Sequence, residues 1–169
     1  GVVTEITVKL LARPPCTVVL LASFDEVEKA ADAVAQIIAQ GIVPAGLEMM
    51  DQMSIRAAVD FIHAGYPVDA QAILLCEIDG ALEDVQEDVA RVEQVLFKAG
   101  AQEVRVARDE QERQRFWAGR KNAFPAVGRI SPDYYCMDGT IPRRQLAYVL
   151  KKTAELSEEY GLRVANVFH

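Results

Sequence analysis

Residues 47–50 read Leu-Glu-Met-Met, and residues 103–107 read Glu-Val-Arg-Val-Ala. Each is a short, partly polar run at the far end of a helical pattern. Each of those helical patterns follows a much more apolar run: Thr17–Phe24 (TVVLLASF) in one case, Ala72–Ile78 (AILLCEI) in the other. Continuous apolar runs of that length are strands buried on both faces, whereas short mixed ones lie at or near a sheet edge. A doubly wound parallel sheet fits the strand-helix alternation. An α+β arrangement of ferredoxin-like units, with a mostly antiparallel sheet and helices packed on it, fits both the alternation and the polar partner strands. The expected fold class is therefore α+β, ferredoxin-like.

Working outward, apolar residues at helical spacing fill the gaps between strands. Ser23 and Glu26 match a capping box ahead of Val27, Ala30, Ala31, Val34, Ile37 and Ile38, and Gly41 closes that helix. Asp51 caps a helix carrying Ile55, Val59 and Ile62, ended by Gly65 and Pro67. Asp79-Gly80 turns the chain into a helix with Val85, Val89, Val92 and Leu96 in line, stopped by Gly100. Asp109 to Phe124 is a charged helix expected to end at Pro125. Tyr134–Asp138 reads as a strand. Thr140 and Pro142 mark the start of a helix with Leu146, Val149, Leu150, Thr153 and Leu156 inward, ended by Gly161. Leu162–Phe168 reads as a last strand.

The composition bounds the function. The 169 residues are 51% hydrophobic and 25% charged, which is enough apolar material for a folded core and excludes intrinsic disorder. The net charge of −7 disfavours non-specific nucleic-acid binding, which needs cations to displace counterions. No apolar run reaches the roughly 20 residues that span a bilayer, and no signal peptide is visible. Cys16, Cys76 and Cys136 form neither a disulfide framework nor a CxxC pair, so a reducing, cytoplasmic setting is expected. No GxGxxG or GxxxxGK[ST] follows a strand, so a phosphate cradle has no support.

Both ends of the chain carry strand-like patterns. Val3–Leu10 alternates directly from the first residues and is followed by the rigid break Arg13-Pro14-Pro15; Val167-Phe168-His169 closes the chain in another apolar run. The expectation is a piece of a longer protein, with residues 1–13 a stub of a preceding unit and 14–169 a domain truncated at its C-terminal end.

Phe116 to Pro142 is the stretch richest in functional side chains. Trp117 and Arg120 lie three apart and share a helix face. An arginine grips a carboxylate in bidentate fashion, so Arg120 is a candidate for binding an acid. From the residues alone the preferred reading is a solvated helix residue paired with Glu112 or Asp109. His63 reads as a last-turn surface histidine. Cys76 and Cys136 read as small strand residues rather than nucleophiles. Arg143 and Arg144 at a helix start oppose the helix dipole. Glu77, inside an apolar strand, needs a partner.

The segments GVVTEITVKLL, AILLCEIDG, WAGRKNAFPAVGRISPDYYCMDGTIPRRQL and ANVFH together resemble the FAD-linked oxidases of the vanillyl-alcohol-oxidase type, and within them the glycolate-oxidase branch. The resemblance implies a cap domain on the substrate side of the site, FAD being bound mainly by a missing N-terminal domain. It implies that Arg120, from a W-x-x-R segment, holds a substrate carboxylate, with Asp138 and Thr140 of the D-G-T-x-P segment near the substrate. It implies that His169, matching the first histidine of H-x-G-D-G-N-x-H, is a catalytic residue that binds a divalent metal. Cys136 and Phe124 stand where relatives acting on larger diacids carry Lys and Thr, so a small 2-hydroxyacid is implied, glycolate or D-lactate. Implied partners are the missing FAD-binding domain and companion iron–sulfur and second flavin subunits of a glycolate oxidase, at the inner face of a membrane. Self-association of the chain through its uncovered face is also expected. A free-standing ferredoxin-like ligand-binding module is the alternative.

Overall fold

The computed structural model describes residues 1–169. Cys16–Phe24 (β1), Val27–Ala39 (α1), Gly46–Asp51 (β2) and Gln52–Ile62 (α2) form the first half. Ala72–Gly80 (β3), Leu82–Lys98 (α3) and Glu103–Val106 (β4) follow. Glu110–Lys121 (α4), Ala123–Ile130 (α5), Leu146–Tyr160 (α6) and Val167–Phe168 (β5) complete the chain. The sheet has five strands in the order β4-β1-β3-β2-β5, and every neighbouring pair is antiparallel. The β4-β1-β3-β2 core, with β1 and β2 flanking β3, is the expected ferredoxin-like arrangement.

The sheet is covered on both faces, which explains why β1 and β3 lack alternation. Leu20, Ala22, Phe24, Leu74, Cys76 and Ile78 face α1 and α3, and Leu150 of α6 joins this core from outside α1. Val19, Leu21, Ile73 and Leu75 face the opposite way, against Ile55 and Ala58 of α2, Phe116 of α4 and Ala123 of α5. The second layer exists because α2 is inserted between β2 and β3.

Several local expectations are corrected. Val3–Leu10 forms no strand: it is exposed and has no ladder partner in the chain. Tyr134–Asp138 is likewise irregular and exposed rather than a strand. Cys136 is therefore exposed, while Cys76 is buried in β3 and its thiol is pushed up to about 12 by desolvation, then by the neighbouring Glu77. Ser23 does not cap α1, because it is still paired within the sheet, opposite Ile73. The Asp109-capped helix ends at Lys121 rather than at Pro125. Asn122 breaks it, with its side-chain amide donating to the Ala118 carbonyl at 2.8 Å. Pro125 then sits in the first turn of α5, where its missing N–H costs no helical hydrogen bond. Leu156 points outward and is half exposed. The last strand is only two residues long. His63 ends α2 in the left-handed conformation at φ 54°.

Asp51 has a wider role than capping. Its carboxylate accepts from the Ser54 backbone N–H at 3.0 Å, from the Asn166 backbone N–H at 2.6 Å and from Asn166 Nδ2 at 3.0 Å. The Asp51 N–H donates back to the Asn166 carbonyl at 3.1 Å. One buried side chain thus starts α2 and fastens the approach to β5. Asp51→Ala is expected to cost about 1–2 kcal/mol from the lost cap and unpaired donors. Denaturant unfolding checks the size, and faster amide exchange at Val167 and Phe168 than in β3 checks the location.

Candidate functional site

Helix α4 crosses the α2/α5 face of the sheet and brings three side chains down on it from successive turns: Arg113, Trp117 and Arg120. Two carboxylates come up from neighbouring strands. Glu77 of β3 and Leu75 share a face, since residues two apart on a strand do. Glu48 of β2 shares that face with Met50. Trp117 Nε1 donates to Glu77 Oε2 at 2.6 Å, and Arg113 Nη1 donates to the same oxygen at 3.2 Å. The partner that Glu77 requires is thus supplied by α4. Arg120 Nε donates to Glu48 Oε2 at 2.8 Å, with both side chains largely shielded. Arg120 is therefore paired with neither Glu112 nor Asp109.

The helix lies this close because two glycines permit it. A Cβ on Gly46 would fall 3.1 Å from Cη2 of Trp117. A Cβ on Gly119 would fall 2.2 Å from the Tyr66 hydroxyl oxygen. The Tyr66 hydroxyl donates to the Phe116 carbonyl, and burial pushes its pKa well above the usual phenol value. On the other side of Phe116, the Arg105 guanidinium lies 5.4 Å from the ring centroid and Arg105 Nη2 donates to the Gly65 carbonyl.

Glu112 anchors the start of α4. It accepts from the Arg108 side chain at 2.9 Å and from the Arg108 backbone N–H at 3.0 Å. Those contacts, the side-chain bond first, hold its carboxyl down at about 2. A depressed folded value means stability that is present above the ordinary value of 4.5 and lost as pH falls toward about 2. Asp51, raised by desolvation, acts in the opposite sense: its contribution is present below 3.8 and lost as pH rises through its folded value. Carboxyl carbon chemical shifts followed on acidification are expected to show Glu112 titrating among the last carboxylates and Asp51 among the first. Glu112 titrating near 4.5 would overturn the assignment.

His169 stands one residue beyond β5. Met49 pairs with Phe168 and Met50 with Val167, so continuing that register places His169 opposite Glu48. Phe168 packs on the α1/α3 core and Val167 on the other, so His169 returns to the face that carries Arg120. Arg120 and His169 are thus placed on the same face of the sheet, at β2, with Glu48 between their attachments. Asp138 and Thr140 are not joined to them: both are exposed in the irregular stretch before α6, and neither shares a hydrogen bond with Arg120. Phe124 is half exposed on α5. Arg143 and Arg144 are exposed in a 3-10 turn preceding α6. Sequence reasoning missed Glu48. Its only signal was a carboxylate in an otherwise apolar strand, the same signal that marks Glu77.

No three His, Cys, Asp or Glu side chains converge as a metal site, so the chain's own residues do not complete one. FAD fits no better. Among the positive-φ glycines only Gly80 lies at a strand-to-helix turn, and one glycine does not make a phosphate cradle.

The fold and this face define an α+β domain in which a cation-bearing helix is laid over one face of a ferredoxin-like sheet. Residues 13–169 match the family model described as FAD linked oxidases, C-terminal domain, and the chain belongs to that family. Over its whole length it is 73% identical to the glycolate oxidase subunit GlcD of Escherichia coli K12, and 34% identical to that of Bacillus subtilis. It is 28% identical over 90% of its length to a probable mitochondrial D-lactate dehydrogenase of Danio rerio, of which it covers 31%. The chain spans about a third of the glycolate oxidase subunits, 34% and 36%. Among solved structures, an alkyldihydroxyacetonephosphate synthase superposes with a TM-score of 0.61 at 14% identity, covering 86% of this chain and 31% of that one. That likeness bears on the fold alone.

Proposed function

We propose that the chain is the cap, the substrate side, of a flavin-dependent 2-hydroxyacid oxidoreductase that converts glycolate to glyoxylate in the intact protein. The observation that carries the reading is the 73% identity to a glycolate oxidase subunit along the full chain. The D-lactate dehydrogenase relative is far more distant, at 28%. In this reading residues 1–13 belong to the preceding FAD-binding unit and 14–169 form the cap. The exposed Val2, Val3, Ile6, Val8, Leu10 and Leu11 support it, because such a segment is expected to be covered by a partner surface.

Within the cap, Arg120 would clamp the substrate carboxylate, and Asp138 and Thr140 would line the substrate from the segment before α6. His169 would supply one ligand to a divalent metal whose other ligands lie outside this chain. FAD, held by residues outside the chain, would accept the two electrons of the oxidation. The cap's own work is to bind, orient and shield the acid. Companion iron–sulfur and second flavin subunits, at the cytoplasmic face of a membrane, belong to the same proposal. No helix here is long and apolar enough to cross a membrane.

The test is anaerobic mixing of the full-length protein with glycolate, D-lactate or a larger 2-hydroxy diacid. Rapid bleaching of the flavin band by glycolate is expected, with D-lactate close behind. One methyl in a pocket is worth only about 1–3 kcal/mol. The isolated chain is expected to purify colourless. A stoichiometric flavin band on it, or bleaching by the diacid alone, would overturn the reading.

A further inference from the structure

We infer that Glu48 is a positioning residue for Arg120, and through it for the substrate carboxylate. The inference rests on the reading of Arg120 just given. Glu48 is fixed at its root, since β2 is hydrogen-bonded to β3 on one side and β5 on the other. Its carboxylate takes the Nε–H of Arg120 at 2.8 Å, with the two side chains only 20% and 17% exposed.

The choice of edge matters. A guanidinium presents two hydrogen-bonding edges to a carboxylate: the side edge, with Nε, and the terminal edge, with the two Nη groups. A carboxylate on Nε fixes the plane and direction of the fork. The terminal edge stays available for a second, incoming carboxylate. An arginine without such a partner samples many rotamers, and the substrate would have to bear the entropy of ordering it. The same device recurs three residues earlier on α4, where Glu77 of the adjacent strand holds Trp117. Two strand carboxylates thereby lock the face of the helix that carries the clamp. Glu48 is also the β2 residue that the continued register sets opposite His169.

Glu48 therefore acts on the substrate only through Arg120. A double-mutant cycle in the full-length flavoprotein tests this, with steady-state turnover of glycolate as the readout. Glu48→Ala is expected to lower kcat/KM about 10- to 100-fold, chiefly through a raised KM, because the fork is misplaced rather than removed. In an Arg120→Lys background the same change is expected to matter less than about 2-fold, since residues acting through one another are not additive. Glu48→Gln keeps an acceptor for the Nε–H and is expected within about 5-fold of the parent. Equal melting temperatures and flavin content across the set separate positioning from folding. If Glu48→Ala costs as much in the Arg120→Lys background as in the parent, Glu48 acts independently and the inference fails while the Arg120 reading stands. If Glu48→Ala improves KM, Glu48 competes with the substrate and the inference fails. If Arg120→Lys is itself silent, the Arg120 reading fails and takes this inference with it.

Discussion

Gly119→Ala is expected to destabilise the chain by about 3–5 kcal/mol, a large share of the roughly 5–15 kcal/mol that holds a domain together. An added Cβ would sit 2.2 Å from the Tyr66 hydroxyl oxygen and 2.4 Å from the Cε2 and Cζ ring atoms. Neither side can yield cheaply. Gly119 lies within α4, whose backbone is held by its own hydrogen bonds and by the contacts of Trp117 and Arg120 with the strands. Tyr66 is buried, and its hydroxyl is committed to the Phe116 carbonyl. Moving the ring leaves that hydroxyl unpaired in the core, which costs about 1–3 kcal/mol on top of the overpacking. Intrinsic helix propensity runs the other way, favouring Ala over Gly by about 1 kcal/mol, so a stabilised variant would be the signature of an open site. Urea unfolding decides between them through the midpoint at unchanged slope. Tyr66→Phe in the Gly119→Ala background is expected to recover only part of the loss, because the 2.4 Å ring contacts remain.

How much of this could be read from the residues follows from where each constraint resides. The strands β1 and β3 announce themselves because burial on both faces leaves few polar positions to confuse the pattern. The short polar strands β2 and β4 favoured the α+β class because such strands lie at or near a sheet edge: β4 is an edge, and β2 is covered only by the two-residue β5. Helix ends marked by Gly41, Gly100 and Gly161 were legible because a positive φ, between 63° and 96° at these positions, is a local demand. Val3–Leu10 has the same alternation as a real strand, but alternation states only that one face wants burial. A ladder also needs a neighbour, and this chain offers it none. Asn122 rather than Pro125 ends α4 because a proline in a helix's first turn is permitted and the asparagine side chain donates to a carbonyl of the last turn, that of Ala118. The pairing of Arg120 with Glu48 spans 72 residues and depends on α4 crossing the sheet, which no local pattern encodes. That Trp117 and Arg120 share a helix face was legible, because three-residue spacing is a local property of the helix.

Arg120→Lys in the full-length protein is expected to lower kcat/KM for glycolate roughly 30- to 1000-fold, corresponding to about 2–4 kcal/mol. Lysine keeps the positive charge, so any electrostatic attraction that is merely long-range survives the change. What it loses is the planar fork. The geometry sharpens this expectation. On the proposed reading Arg120 satisfies Glu48 through Nε and keeps its terminal edge for the acid, whereas an ammonium on a flexible stem presents no planar edge at all. Lysine is therefore expected to bind the substrate poorly whether or not Glu48 is present, since it has no fork for Glu48 to orient. A role confined to the Glu48 ion pair predicts something different: breaking a largely shielded pair is felt in stability and not in turnover. Melting temperature and flavin content measured beside kcat/KM separate the two. Loss of turnover at unchanged melting temperature places Arg120 on the substrate. Unchanged kcat/KM for both glycolate and D-lactate, at full flavin content, would remove it. The clamp would then fall to Arg143, exposed just beyond the Asp138–Thr140 segment, rather than to Arg129, whose guanidinium is already stacked 5.3 Å from the centroid of the Phe61 ring.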